Sequence, residues 1–159
     1  MKKINCSILM LIVMLAITPT GCKDSSEKQK AVSEDKKEIS EVKQEKQDLI
    51  QALEDYSADQ RDEALQRAET ALNNMDERIN ALEKRINDKR DQMDKAAREK
   101  ADSKLKSLRN KRSEVAEWYK NLKTSSADTW DHTKKGFSDS YKALENAWKK
   151  SAKEFGFYK

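Results

Sequence analysis

Apolar residues recur at steps of three and four over most of the chain, which is the spacing of one face of an α-helix. The clearest run lies within residues 65–86 and extends over about three heptads, with charged residues on both sides, in the a/d pattern of a coiled coil. This first seam consists of Leu65, Ala68, Leu72, Met75, Ile79, Leu82 and Ile86.

Two further seams follow, and a short apolar run precedes the first one. The short run consists of Leu49, Ile50, Leu53 and Tyr56. The second seam, which Arg112 interrupts, consists of Leu105, Leu108, Val115, Tyr119 and Leu122. The third seam changes register and consists of Trp130, Phe137, Tyr141, Leu144, Trp148, Phe155 and Tyr158. These patterns predict an all-α fold, elongated and built from long helices or a coiled coil.

Two groups of cap-forming residues indicate where helices begin. The sequence Ser57-Ala58-Asp59-Gln60 has the form of a capping box, so a helix either restarts there or runs through. A second box, Ser125-Ser126-Ala127-Asp128, precedes the third seam. A new helix that begins near Ser126 explains the change of register, and it predicts a C-terminal amphipathic helix over residues 126–156.

The middle of the chain offers two geometries, one continuous helix over residues 57–123 or a hairpin that folds at 88–100. We expect the continuous helix, because residues 88–100 contain neither Gly nor Pro. A turn at residues 124–127 would fold the last helix back on the one before it. Position 118 would then meet about 132, and the last residues of the chain would meet residues 96–101. Small residues would face large ones there: Ala96, Ala97 and Ala101 opposite Phe155 and Tyr158.

In this arrangement the first seam still needs a covering partner. That partner is either the helix that carries the short run or a second copy of the chain, which makes a homo-oligomer or a helical protein partner the expectation. The predicted organisation is a signal peptide over residues 1–21, a flexible tether over 22–40, a long charged helix or helices over 41–123, and the C-terminal helix.

The composition agrees with long helices around narrow apolar seams, since 39% of residues are charged and there are only three Gly and one Pro. The charge is unevenly distributed. Residues 45–94 carry eight basic and fourteen acidic groups, whereas residues 95–118 carry eight basic and four acidic groups. The alternatives are a solvated helical surface and charge-complementary pairing within or between chains. Nucleic acid is not expected as a partner, because basic and acidic groups alternate and the chain carries an export signal.

The N-terminus has the layout of an export signal. Lys2 and Lys3 precede a mostly apolar run over residues 4–17, which is shorter than the ~20 residues of a membrane-spanning helix. The run ends in the sequence PTGC. If the chain is cleaved before Cys22, the mature protein keeps a single cysteine, because Cys6 is lost with the signal.

The PTGC sequence resembles a bacterial lipobox, in which a small residue precedes a cysteine that is linked to diacylglycerol. Pro19 stands where that pattern usually has an aliphatic residue. The resemblance implies a lipoprotein signal with Cys22 as the lipid attachment site, and a plain secretory signal and an uncleaved anchor are the alternatives. No Asp directly follows Cys22, so an outer-membrane lipoprotein facing the periplasm is favoured over retention in the inner membrane.

Candidate chemistry is sparse. The single histidine, His132, has no Cys partner and no metal-ligand cluster, and no phosphate-binding loop or nucleophile motif occurs. We therefore expect no enzyme activity, no cofactor and no metal site. The third seam, with its lysines, is either a packing stripe or a membrane-contact stripe, since Trp and Phe on one face of a basic helix are typical of membrane-surface helices.

Two family resemblances add expectations. The run ALQRAETALNNMDERINALEKRI and the Trp-bearing segment after it, within residues 60–159, resemble a bacterial family of small, charged coiled-coil stress-response proteins. That resemblance implies a stress-related role without catalysis. A lipidated N-terminus, a helical body and a terminal lysine also resemble the murein lipoproteins, which implies Lys159 as a peptidoglycan cross-link. The resulting expectation is a lipid-anchored helical envelope protein, a spacer or an interaction scaffold, with a cell-wall anchor and a membrane-surface binder as alternatives.

Overall fold

The computed structural model describes residues 23–155, and within the first helix it describes the side chains of Lys37 and of the residues from 40 onward. Four α-helices follow one another, joined by short turns. They are α1 (Lys23–Asp55), α2 (Arg61–Asp88), α3 (Lys95–Thr124) and α4 (Trp130–Glu154). The described residues contain no strand, so the predicted all-α class is confirmed, whereas elongation as a coiled coil is not.

The helices fold back and forth into a four-helix bundle. Between α2 and α3, Asp76 pairs with Arg112 at 2.6 Å and Glu83 pairs with Arg109 at 2.5 Å, so residue numbers fall on one helix as they rise on the other. These two helices are therefore antiparallel.

The remaining pairs complete the up-down-up-down order. On α1, Lys46 pairs with Glu145 of α4 at 3.1 Å, whereas the carbonyl of Tyr56, ten residues later in the chain, accepts a hydrogen bond from Trp130 at the start of α4. Between α3 and α4, the Trp118 ring meets the His132 ring at 5.8 Å. Each helix thus packs against its two neighbours in the antiparallel sense, as in other bundles with short connections.

All four helices contribute to one core. The first seam is buried within the chain apart from Leu65, which is partly buried, so a second copy is not needed to cover it. The largest fully buried apolar side chains are Leu53, Met75, Leu82, Ile86, Leu108, Leu122, Phe137, Tyr141, Leu144 and Trp148.

The expectation of a continuous helix over residues 57–123 is wrong. The chain breaks after Asp88, and α3 starts at a polar cap in which the Asp94 Oδ1 accepts a hydrogen bond from the Ala97 amide at 2.7 Å. The turn is also held by Arg90, whose guanidinium pairs with Asp102 at 2.8 Å. A capping Asp and a paired Arg reverse the chain without Gly or Pro, so the absence of those two residues does not imply a continuous helix here.

At the first predicted box the chain does break, and a new helix follows. The Ser57 amide donates to the Gln60 Oε1 at 3.3 Å, as the capping box requires, and α2 begins one residue later. Upstream of it, residues 22–40 were expected to be a flexible tether, but the backbone is helical from Lys23 onward. Lys and Glu make up eight of the nineteen residues of this segment, and both are strong helix formers.

The second predicted box is wrong in detail, because α4 begins four residues later than Ser126. The Ser126 amide donates to Thr129 Oγ1 at 3.0 Å, so Thr129 holds the turn rather than Asp128. The predicted hairpin itself is present, since α3 and α4 pack closely and position 118 meets 132.

The small-residue match at the other end of that hairpin is only partly present. Ala101 is buried, whereas Ala97 is partly buried and Ala96 is exposed to solvent. Phe155 is partly buried and packs against the core, and Tyr158 lies outside the described residues. Of the three predicted alanines, only Ala101 belongs to the buried core against which Phe155 packs.

Gly136 sets the distance between α3 and α4. A Cβ atom built at this position would overlap the Trp118 ring, so the indole lies directly on the backbone of α4. The sequence suggested only a cost for this glycine, because Gly is ~1 kcal/mol less favourable than Ala inside a helix. The structure shows that close helix packing requires it.

We expect Gly136→Ala to lower the free energy of unfolding by about 1–3 kcal/mol, because overpacking outweighs the better helix propensity of Ala. Urea unfolding of residues 23–159 would measure this change. In a Trp118→Ala background the overlap is gone, so the same Gly136→Ala change should be neutral or stabilising. A destabilisation of equal size in both backgrounds would contradict the packing explanation.

Candidate functional site

Two of the predicted site residues cannot be placed. Cys22, the predicted lipid attachment site, and Lys159, the predicted cross-link, lie outside the described residues. The helix α1 nevertheless begins at Lys23, directly after Cys22, and α4 ends at Glu154.

The predicted aromatic stripe is a packing element. Its residues on α4 are buried, and three of them also donate hydrogen bonds to backbone carbonyls outside α4. The Trp148 Nε1 donates to the Arg78 carbonyl at 3.2 Å, and the Tyr141 hydroxyl donates to the Ala71 carbonyl at 3.5 Å. The buried part of the stripe consists of Trp130, Phe137, Tyr141, Leu144 and Trp148.

The first turns of α4 hold the end of α1. The Trp130 Nε1 and the Lys134 Nζ both donate to the Tyr56 carbonyl, at 3.0 and 2.7 Å. A cation at the C-terminal end of a helix satisfies free carbonyls and interacts favourably with the helix dipole. The mostly buried Lys134, which also pairs with Asp131 at 3.1 Å, therefore stabilises the docking of α1.

A buried carboxylate lies where α1 meets α4. The Glu145 side chain is fully buried, and its carboxylate pairs with Lys46 of α1 and with Lys149 one turn further along α4. On α1 the preceding residue, Glu45, pairs with Arg78 of α2 at 2.5 Å. Two successive α1 residues of opposite charge thus bind α1 to both of its neighbours.

Burial also affects the nearby Tyr141. Loss of solvent raises the pKa of its hydroxyl well above the ordinary value of 10.0, and the Glu45 carboxylate raises it further. The phenol therefore stays neutral while the bundle is folded.

A long groove lies on the surface between α1 and α2, with a volume of about 1030 Å³. Acidic groups outnumber basic ones along it. We call it the acidic groove, and its charged members are Glu41, Glu45, Asp48, Glu63, Arg67 and Arg78. Both arginines are engaged, because Arg78 binds Glu45 and the Arg67 Nε donates to the Tyr56 hydroxyl at 2.9 Å. The open part of the groove is therefore acidic.

A smaller groove, of about 190 Å³, lies between α3 and α4. Its charged members are the lysines Lys104, Lys111 and Lys150, and we call it the basic groove. Small polar and apolar side chains such as Asn146 and Ala147 form its floor, and no carboxylate lines it.

The sequence did not single out the two grooves or Glu145. A signal for Glu145 was present, because it lies directly after Leu144 and one turn after Tyr141, at the edge of the third seam. The charge imbalance between residues 45–94 and 95–118 was visible as well. The turn at 89–94 determines which residues share a groove, and the sequence was expected to form a continuous helix there.

Within residues 23–155, no three His, Cys, Asp or Glu side chains gather into a group that could hold a metal ion. His132 is exposed to solvent, as expected, and its ring contacts Trp118. In the same part of the chain, no helix is long and apolar enough to cross a membrane.

Comparison with known proteins gives no match: no protein-family model fits this chain, and no curated protein or solved structure is significantly similar to it.

We expect Lys46→Met to lower the free energy of unfolding by about 2–3 kcal/mol, because it leaves the buried Glu145 carboxylate with Lys149 alone. The double variant Lys46→Met/Glu145→Met should be closer to the original protein, since a buried pair replaced by apolar groups costs little. Urea unfolding of residues 23–159 would measure both. A double variant that is less stable than Lys46→Met would contradict this explanation.

The buried Tyr141 predicts a loss of stability in alkaline solution. Its pKa is raised in the folded state, so its contribution to stability is fully present below pH ~10 and declines as pH rises above that value. The absorbance of phenolate at 295 nm should therefore be the same for the original protein and for Tyr141→Phe until unfolding begins. Ionisation of Tyr141 near pH 10 in the folded bundle would contradict the prediction.

Proposed function

We propose that this protein is a non-enzymatic, lipid-anchored envelope protein, in which α1 holds a four-helix bundle away from the membrane as a spacer and interaction scaffold. The observation that supports this proposal is the continuity of α1. It starts at Lys23, next to the predicted lipid attachment site, and runs without a break to Asp55, with Val42, Leu49 and Leu53 buried in the core of the bundle.

The geometry of the bundle determines how far α1 extends beyond the end of α4. Lys46 lies level with Glu145, so Glu154 lies level with about residue 37, because both helices rise 1.5 Å per residue. Residues 23–36 of α1 therefore extend beyond the end of α4 by about 20 Å of helix. A lipid on Cys22 would hold the end of α4 at about this distance from the bilayer.

The cell-wall alternative receives less support from this arrangement. A protein that spans from membrane to peptidoglycan needs its two attachment points at opposite ends. Here α4 ends at Glu154, at the end of the bundle from which the N-terminal part of α1 leaves. The five residues to Lys159 add at most about 18 Å of reach.

The membrane-surface alternative also conflicts with the packing. The apolar face of α4 forms the core, and α4 would have to leave the bundle to place Phe137, Tyr141 and Trp148 in a bilayer. An interaction scaffold uses the outer surface of the folded bundle and needs no such rearrangement. Any association with stress remains an expectation from the family resemblance.

We expect Cys22→Ala to move the protein from the membrane fraction to the soluble fraction of its native cell, because the acyl chains would be lost. The matched control is Cys6→Ala, which removes a cysteine from the predicted signal peptide and should leave membrane attachment unchanged. Intact mass spectrometry of the unaltered protein should show a chain that starts at residue 22 and carries lipid. An unmodified Cys22, or a Cys22→Ala variant that stays in the membrane, would overturn the proposed anchor.

A further inference from the structure

The acidic groove and the basic groove lie on opposite faces of the bundle. In the cyclic order of the helices, the pair α1 and α2 is opposite the pair α3 and α4, and each groove lies on the outer side of its own pair. Two copies that stand side by side can therefore bring one groove of each kind together, and each copy keeps its other groove free.

The charges on the two faces also lie at matching heights along the bundle. Because Lys46 lies level with Glu145 and the helices are antiparallel, Glu41 lies level with about position 150 and Asp48 with about position 143. Lys150 is therefore level with Glu41.

The same holds for the other lysines of the basic groove. Lys104, whose Nζ lies 3.9 Å from the Glu154 carboxylate, is near the level of Lys150. Leu108 and Ala143 both line the groove, and Lys111 lies three residues beyond Leu108, so Lys111 is within about one helical turn of the level of Asp48.

Several of these charges have no partner within their own chain. Among the described residues, Asp48 on the acidic side makes no ion pair, and neither do Lys111 and Lys150 on the basic side. Glu41 has only an exposed pair with Lys37 at 3.6 Å, which contributes little to stability. The two faces thus present unpaired or weakly paired charges of opposite sign at similar heights along the bundle.

We propose that the acidic groove binds the basic groove of a second copy that stands beside it in the same orientation. Such a contact uses different surfaces on the two copies, so it repeats and forms rows rather than closed dimers. The proposal deepens the scaffold function by naming its partner, because copies anchored in one membrane by Cys22 already share this orientation. Confinement to a membrane raises the effective concentration, so a weak polar contact is sufficient.

A lipid headgroup is a weaker candidate for the basic groove. The groove faces sideways, and Lys150, which is level with Glu41, lies more than about 20 Å along α1 from the predicted anchor. Charges interact little beyond the Debye length, which is about 8 Å at physiological ionic strength. A neighbouring copy, in contrast, meets the groove directly.

Sedimentation of residues 23–159 tests the contact without the lipid, and all described buried side chains lie at residue 42 or later, so this chain keeps the whole core. We expect the average mass to rise with protein concentration up to about millimolar in low salt. The dissociation constant should increase about tenfold or more in 0.5 M salt, since exposed charges are screened.

Charge reversal identifies the two faces. Lys111→Glu/Lys150→Glu and Glu41→Lys/Asp48→Lys should each abolish self-association. A mixture of these two variants should associate again, because one carries acidic charges on both faces and the other basic charges on both. Lys106→Glu/Lys120→Glu, exposed on other sides of α3, is the matched control and should associate like the original protein.

Three results would overturn the proposal: a monomer at every concentration and salt, a mixture that fails to associate, or an equal loss of association in the control. Binding of residues 23–159 to anionic phosphatidylglycerol vesicles that Lys111→Glu/Lys150→Glu abolishes would assign the groove to lipid instead. Because no arm of the experiment uses acylated protein, its failure would leave the anchor at Cys22 untouched, and failure of the anchor would leave this interface standing.

Discussion

The aromatic face of α4 is the constraint on which the rest of the bundle depends. Its rings fill the core, and their polar atoms bind the backbone of other helices: Trp130 binds the end of α1, and Trp148 binds α2. On the α3 side the contact is of another kind, because the Trp118 ring lies on the backbone at Gly136. One helix thus fixes the position of the other three, although few large apolar residues are available to a chain in which 39% of residues are charged. Indole N–H groups suit this role, because they add directional hydrogen bonds to a large buried area.

Charged residues determine the contacts between helices outside the aromatic core and the character of the two outer faces. Within the bundle, ion pairs join neighbouring helices, and the buried Glu145 ties α1 to α4 through Lys46. On the surface, the acidic excess of α1 and α2 and the basic excess of α3 and α4 end up on opposite faces. A sequence that alternates acidic and basic helices would have neutralised each face. This one separates them, so the bundle carries a charge asymmetry across its width, while the apolar seams are satisfied inside it.

The sequence predicted the class of fold and the members of the core, because helical periodicity reports directly which side chains share a face. It also predicted the hairpin of α3 and α4, since a change of register at Thr124–Asp128 requires a new helix. The turn at 89–94 was not predicted because Asp94 and Arg90 form it. Asp and Arg are also common inside continuous charged helices, so their presence does not mark a turn. The role of Gly136 depends on a ring from another helix, and Glu145 has the same neighbours in sequence as many exposed glutamates. Both depend on tertiary contacts that local patterns do not contain.

The continuity of α1 has a mechanical consequence. A pull on its N-terminus acts along the helix axis and slides α1 past α2 and α4, instead of peeling it away one turn at a time. The buried side chains Val42, Leu49 and Leu53 and the ion pairs of Glu45 and Lys46 would all have to separate together. Contacts that are loaded in shear share the force. Tension applied at the predicted anchor would therefore pass through α1 and be distributed over its contacts with both neighbouring helices.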